Sequence, residues 1–354
     1  MPTDEFWMRK AIALAQKAKP SPNPPVGAII VKNNRPIANA FHRRAGEAHA
    51  EALAIARAGS KAKGATLYVT LEPCSHHNKK TPPCTDAIIH AGIKKVVFGC
   101  KDPNPEVNGT KALQKKGIKV TQGVLSKECE SLIEYFRKYI VTGKPFVIVK
   151  VAESLDGKIA TKTGESQWIA GGNARKLFFD LRKKVDAIMV GVNTVLKDNP
   201  RLTSRKGRKW DPLRVILDHR LRTPSNYRVL DDSNVVIFTT SASRSKTRAL
   251  EKKGAKVIRL KWLSMAKVIK TLGKMGITSL MIEGGGEVIA SALEEKVVDK
   301  VSFVIAPKII GGRDAKTSVE GKGIARLKDA IELEKTKITT IGGNILVEAY
   351  VKRH

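Results

Sequence analysis

His49-Ala50-Glu51, Pro73-Cys74 and Cys84 are the residues whose types and spacing could do chemistry. One imidazole and two thiolates make a natural tetrahedral zinc set with a fourth position left for water. An open fourth position marks a catalytic rather than a structural site. Glu51 follows His49 by two residues, so it reaches the same centre and can shuttle a proton. An H-x-E triplet alone occurs by chance. Its coincidence with Glu72-Pro73-Cys74 after a strand, and with Cys84 at a helix start, is specific. Helix N-termini favour thiolates, because free N–H groups and the dipole stabilise negative charge. The set is therefore expected to hold one zinc ion per chain, with Glu51 catalytic, rather than to be a packed histidine beside inert thiols. Cys100 and Cys129 read as packing residues. His76 and His77 read as a loop lining the pocket rather than as extra ligands.

The second half offers a different set. Glu283-Gly284-Gly285-Gly286-Glu287 lies between a strand and a helix. Glycines there let the backbone approach an anion at a helix N-terminus. The spacing is not G-x-G-x-x-G, so it does not announce an ordinary dinucleotide fold. Ser166, Arg182 and Arg205 are donors suited to a sugar phosphate. Lys150, Asp156 and Glu283 are all open as proton donors.

What must position these residues is an alternation of helices and strands. Helices are expected over 4–19, 49–58, 84–91 and 126–140, and strands over 27–31, 66–71 and 95–98. Thr142-Gly143-Lys144-Pro145 punctuates the chain, and the alternation restarts. Strands are expected at 146–151, 187–192, 214–217, 235–239, 278–282, 301–305 and 344–351. Helices fit at 173–184, 264–275 and 286–295. This is an α/β pattern in two domains, 1–144 and 145–354.

The chain has 354 residues, long for one core at roughly 100–200 residues per domain. Hydrophobic residues at 42% and charged residues at 28% exclude a mostly disordered chain. No apolar run is long enough to span a membrane. The N-terminus is charged throughout and lacks the apolar stretch of a secretory signal. Four cysteines are too few for a disulfide scaffold, so a cytoplasmic setting is expected. Lys plus Arg is 65 against 33 Asp plus Glu, a net charge of +32. Such a field attracts anions. The basic runs KNNR, KKTPPC, KGRK and EKKGAK are scattered rather than gathered in a tail, and 5% aromatics give little stacking surface for single strands.

Ser21-Pro22-Asn23-Pro24-Pro25-Val26-Gly27, His42 with Ala45-Gly46, His49-Ala50-Glu51, Glu72-Pro73-Cys74-Ser75-His76-His77, Thr81-Pro82-Pro83-Cys84 and Asp102-Pro103-Asn104-Pro105 are all present. On these motifs the first half resembles the cytidine-deaminase-like pyrimidine deaminases of riboflavin biosynthesis. The resemblance implies a three-layer fold and substrate contacts from Asn23 and His42. A basic residue between the cysteines would meet the substrate phosphate, with Lys79 and Lys80 both open. Two departures stand out. Asn78-Lys79-Lys80 adds a residue before Thr81-Pro82-Pro83-Cys84, and Val107-Asn108-Gly109-Thr110-Lys111 lacks the family's second glycine.

The second half carries Lys150–Lys158, Gly164-Glu165-Ser166-Gln167-Trp168, Gly191-Val192-Asn193-Thr194, Asp198-Asn199-Pro200, Leu202-Thr203-Ser204-Arg205 and the glycine run. It is similar to the reductase partnered with that deaminase, which has a dihydrofolate-reductase-like fold. The order, deaminase then reductase, is that of the bifunctional bacterial enzymes. The resemblance implies NADPH contacts from Ala152, Trp168, Thr194, Asp198, Gly285, Gly286, Glu287, Val288, Ile289, Ala290 and Ser291. It implies substrate contacts from Ser166, Arg182, Leu202, Arg205 and Glu283. The implied activity is zinc-dependent hydrolytic deamination of 2,5-diamino-6-(5-phosphoribosylamino)pyrimidin-4-one. Reduction by NADPH to 5-amino-6-(5-phosphoribitylamino)uracil would follow. The implied partners are that phosphorylated pyrimidine and a second copy of the chain, with no membrane and no specific nucleic acid. Two rivals remain: an RNA or nucleoside deaminase with a basic appendage, and a non-enzymatic RNA-binding zinc protein. The wide Cys74–Cys84 spacing disfavours the first and the intact Glu51 the second.

Overall fold

The computed structural model describes residues 2–77, 81–167, 169–205, 207 and 211–352. Contacts divide the chain into two units, Met1–Gly143 and Lys144–His354.

In the first unit β1 (Gly27–Lys32), β2 (Arg35–Phe41), β3 (Thr66–Leu71), β4 (Lys95–Cys100) and β5 (Lys119–Gln122) form one sheet in the order β2-β1-β3-β4-β5. β1 runs antiparallel to both neighbours, and β3, β4 and β5 are parallel. The central runs GAIIV, LYVTL and VVFGC are buried, as strands covered on both faces must be. α1 (Asp4–Ala15) packs with α5 (Ser126–Leu132), while α2 (Ala50–Ala58), α3 (Cys84–His90) and α4 (Gly109–Gln114) form a second group, giving three layers.

In the second unit nine strands form one sheet. They are β6 (Phe146–Ser154), β7 (Ala187–Gly191), β8 (Leu213–Leu217), β9 (Val235–Thr239), β10 (Lys256–Arg259), β11 (Ser279–Ile282), β12 (Lys300–Ala306), β13 (Leu333–Ile341) and β14 (Asn344–Val351). Their order is β10-β9-β8-β7-β11-β6-β12-β14-β13. The first seven in that order are parallel, and the β13–β14 hairpin adds antiparallel. α7 (Gly172–Lys184) packs Ala174 and Phe178 on Val304 and Leu346 of one face. α10 (Met265–Lys274) and α11 (Gly286–Glu294) pack Met265, Val268 and Ile289 with Val147, Val149 and Val301 on the other. The carboxyl ends of the parallel strands are thereby left free for a cleft, the usual ligand position in such sheets.

Several elements differ from the sequence expectation. The helix expected over 4–19 stops at Ala15, and Pro20 bars continuation. The single helix expected over 126–140 is two, α5 and α6 (Glu134–Thr142), broken at Ile133 with φ −107° and ψ 13°. The break lets Ile133 enter the core at 1% exposure. The strand expected over 187–192 gives way at Val192 to α8 (Val192–Asp198). β2, β5, β10, β13, α4, α8 and α9 (Arg244–Glu251) lie outside the expected set. The four strands among them lie at or next to sheet edges, and β5, β10 and β13 are largely exposed with no two-residue burial rhythm to betray them.

Candidate active site

The first centre forms where the β2–α2 and β3–α3 connections meet. His49 is the residue before α2, Cys84 opens α3 after Pro83, and Cys74 follows β3. His49 Nδ1 lies 3.5 Å from Cys74 Sγ and 3.3 Å from Cys84 Sγ. The Cys84 N–H donates to Cys74 Sγ at 3.3 Å, stabilising a thiolate. For Zn–N and Zn–S bonds of about 2.0–2.3 Å, the N···S edge of a tetrahedron is about 3.5 Å, so donor types and spacing both fit zinc. Among the described residues this is the one His/Cys/Asp/Glu group that closes within 4.8 Å. His76 and His77 are not in it.

Glu51 lies in the first turn of α2, 4% exposed. Burial, and then the negative field of Cys74, push its carboxyl up, with His49 and a Cys84 hydrogen bond partly opposing. A bound dication would pull it back down. His42, 2% exposed, has its imidazole edge-on to His49 with ring centres 5.1 Å apart. Burial holds His42 below the usual histidine value, hence neutral. Its Nδ1–H donates to the Ala48 carbonyl at 3.2 Å, so Nε2 accepts from the Asn23 amide at 3.0 Å. Asn23 is thereby turned with its carbonyl oxygen away from the histidine.

The loop carrying Cys74 is braced from below. Glu72 accepts from the Thr110 N–H at 2.9 Å and the Thr110 hydroxyl at 2.8 Å, at the start of α4. A Cβ at Gly109 would lie 2.0 Å from the Pro73 carbonyl oxygen, so this glycine permits the close approach. The second glycine of the related motif is not needed, since Lys111 already sits within α4. This brace was missed in the sequence; Glu72 and Gly109 were present as motif letters without a visible partner. Lys79 and Lys80 lie outside the described residues. Cys100 and Cys129 are buried at 3% and 0%, and burial pushes the Cys129 thiol up to about 12, consistent with packing.

The second centre is a pair of adjoining cavities at the carboxyl ends of the strands, about 910 and 800 Å³. Lys150, Ala152, Ser166 and Asp198 border both. Thr194, Gly285, Gly286, Glu287, Val288, Ile289 and Ser291 line the larger one. Ala290 does not; it is buried behind the wall, beside Gly321. Trp168 lies outside the described residues. Gly285 precedes α11 at φ 76°, and a Cβ at Gly286 would lie 2.6 Å from the Thr317 carbonyl oxygen. The glycine run thus leaves bare backbone at a helix start, a cradle that fits a dinucleotide's phosphates.

Arg182, Leu202 and Arg205 line the smaller cavity, and Glu283 the larger. Arg182 Nε and Nη2 donate to the two Glu283 oxygens at 2.8 and 2.6 Å, joining the cavity walls across 101 residues of sequence. Burial alone would raise Glu283, but the Arg182 and Lys150 charges overcome it and hold the carboxyl below the usual range. Burial pushes Lys150 below the usual lysine value, with Glu283 partly opposing. Its Nζ stands 3.6 Å from the Phe178 ring centre. Asp156 is elsewhere: it accepts from Ser154 Oγ and from the Ile310 and Gly311 N–H groups, which pull it down to about 2.

Residues 1–100 match the family described as the cytidine and deoxycytidylate deaminase zinc-binding region, and residues 145–347 match the RibD C-terminal domain. The chain is 42% identical to the riboflavin biosynthesis protein RibD of Actinobacillus pleuropneumoniae, over 99% of this chain and 96% of that one. Acinetobacter baumannii RibD, form 1, superposes with a TM-score of 0.89 at 33% identity, covering 99% of both chains. The diaminohydroxyphosphoribosylaminopyrimidine deaminase/5-amino-6-(5-phosphoribosylamino)uracil reductase of Thermotoga maritima superposes at 0.87 with 38% identity over 99% of this chain.

Proposed function

Since the chain belongs to the RibD family of bifunctional riboflavin-biosynthesis deaminases and reductases, we propose that residues 1–144 carry the deamination and 145–354 the reduction, each at the centre described above. The observation that carries this reading is the separation of the two chemistries. The zinc ligand set lies wholly in the first unit and the paired cavities wholly in the second.

In the deaminase, His49, Cys74 and Cys84 would hold zinc, which when bound supplies an acidified water as nucleophile. Glu51 moves protons between that water and the pyrimidine ring and leaving amine. Asn23 and His42 orient the pyrimidine, with the neutral His42 holding the Asn23 amide so that its carbonyl faces the substrate. In the reductase, NADPH supplies the hydride. The C1′–O4′ bond of the ribosylamine opens, the departing oxygen takes a proton, and C1′ accepts the hydride. The proton comes from Lys150. Glu283 is held ionised by Arg182, and Asp156 is engaged in a turn, whereas Lys150 borders both cavities with a lowered proton affinity. Arg205 and Ser166 would bind the substrate's sugar phosphate, and Arg182 acts through Glu283.

The test is turnover of the diaminopyrimidine phosphate with and without NADPH, followed by mass and absorbance. Without NADPH the deaminated ribosyl compound should accumulate. Removing metal with a chelator should abolish deamination yet leave reduction of an already deaminated substrate. Loss of both activities on chelation, with the protein still folded, would contradict the assignment of one chemistry to each half.

No helix among the described residues is long and apolar enough to cross a membrane. A cytoplasmic setting, with the phosphorylated pyrimidine as partner and no nucleic acid, suits this reading. Homo-oligomerisation is supported by β13, an edge strand that leaves Leu333 46% and Ile338 67% exposed. Light scattering should then give a multiple of the 38.7 kDa chain, and Ile338→Lys should shift it toward the monomer. A monomeric wild-type protein would end that idea.

A further inference from the structure

We propose that the β10 edge of the second unit is a docking surface for an extended acidic segment of another protein, which adds to the sheet as a further strand. β10 stands at one end of the nine-strand order and pairs with β9 in parallel. The Leu260 N–H donates to the Thr239 carbonyl of β9 at 2.8 Å. Alternate residues of a strand bond to opposite sides. Val257 and Arg259 therefore aim their N–H and C=O groups away from β9, toward the open edge. Such an edge is a template for main-chain hydrogen bonds from an extended peptide, whose side chains then decide which peptide is taken.

Charge around that edge selects the partner's sign. Residues 244–274 run from α9 through β10 to the end of α10 and hold eleven Lys and Arg against one Glu. The charge is thus less evenly scattered than its sequence runs suggest. Among the described residues none of the eleven forms an ion pair within 4.0 Å. All but Lys267 are exposed. Lys256 and Arg259 stand on β10 itself, on opposite faces, so an added strand meets a cation on each side. The flanking helices carry the rest: α9 touches β10, and α10 packs Met265, Val268 and Ile269 into the core that Ile258 joins. Edge lysines also guard a strand against apolar strands and against a second copy of itself. The guard that repels those partners attracts an acidic one. A nucleic acid fits less well. It brings no row of amides, and the stretch offers one aromatic, Trp262, with Lys267 Nζ 3.0 Å from its ring centre, too little for a run of stacked bases. That tryptophan is also the one large apolar side chain the stretch exposes, which leaves a membrane little to bury.

The experiment is fluorescence anisotropy of the full chain with a short labelled peptide of Glu-Glu-Val repeats, which puts carboxylates on both faces of an extended strand. Its comparators are the same peptide with every amide N-methylated, a Lys-Lys-Val counterpart, an oligouridylate of equal charge and phosphatidylserine vesicles. The Glu peptide should bind and the Lys peptide should not. N-methylation keeps the charge and removes the main-chain donors, so it should weaken binding about 10-fold or more. Lys256→Glu and Arg259→Glu should each weaken it about 10-fold. Lys116→Glu, an exposed lysine of the first unit, makes the same change in net charge and should move it less than about twofold. Reduction of a deaminated substrate should be unchanged in all three variants, which checks that each is folded. Equal binding of the N-methylated peptide, or an equal loss in Lys116→Glu, would reduce the effect to net charge and overturn the proposal. Failure of the Glu peptide to bind would overturn it too. Tighter binding of the oligouridylate or the vesicles would overturn it in favour of a nucleic acid or a membrane.

Discussion

Glu51→Gln is expected to lower deamination by about 10²–10⁴-fold, the usual worth of a positioned acid–base group, while zinc content stays at one ion per chain. Glutamine keeps the shape of the buried side chain in the first turn of α2 and leaves His49, Cys74 and Cys84 untouched. What it removes is the ability to take a proton at one oxygen and return it to another atom. The mechanism needs both moves, one at the attacking water and one at the departing amine. Ammonia release and metal analysis on the same preparation separate the two roles. Retained zinc with near-normal ammonia release would refute Glu51 as the shuttle, and lost zinc would make it a structural support. The reductase half serves as internal control, because its residues lie in the other unit.

Lys150→Met is expected to depress reduction by a similar 10²–10⁴-fold while NADPH binding persists, since methionine fills the space beside Phe178 without a proton to give. The wild-type pH profile carries the sign. A donor works protonated, so the rate should hold below its pKa and fall as pH rises through it. Burial sets that fall below the ordinary lysine value of 10.5, with Glu283 limiting the shift. Lys150→Arg, which stays charged but does not give up a proton, should lose rate as Lys150→Met does and flatten the alkaline fall. An unchanged alkaline limb in Lys150→Arg, or normal reduction in Lys150→Met, would remove Lys150 from the role. Both measurements use a deaminated substrate, so the zinc site does not enter.

The chemistry of the first half was open to reading from residues alone. Its ligands are rare residue types at strand–helix junctions, where proline and the helix start announce themselves locally. The glycine run before α11 was legible for the same reason, as were the central strands, whose continuous apolar runs need no partner to be recognised. The proposal of Lys150 over Asp156 and Glu283 as proton donor rests on the tertiary structure alone. Their proton affinities depend on neighbours brought from distant segments: Arg182 for Glu283, the Ile310 and Gly311 N–H groups for Asp156, and Phe178 with Glu283 for Lys150. The edge strands β10 and β13 were hidden because exposed strands carry no alternation, and their identity comes from the strand they pair with. The meeting of Lys150, Thr194 and Glu283 around one cavity follows from the order β7-β11-β6, a crossover that no local pattern encodes. Residue type and local spacing determine which groups can react, while long-range pairing and burial decide their charge and what they face.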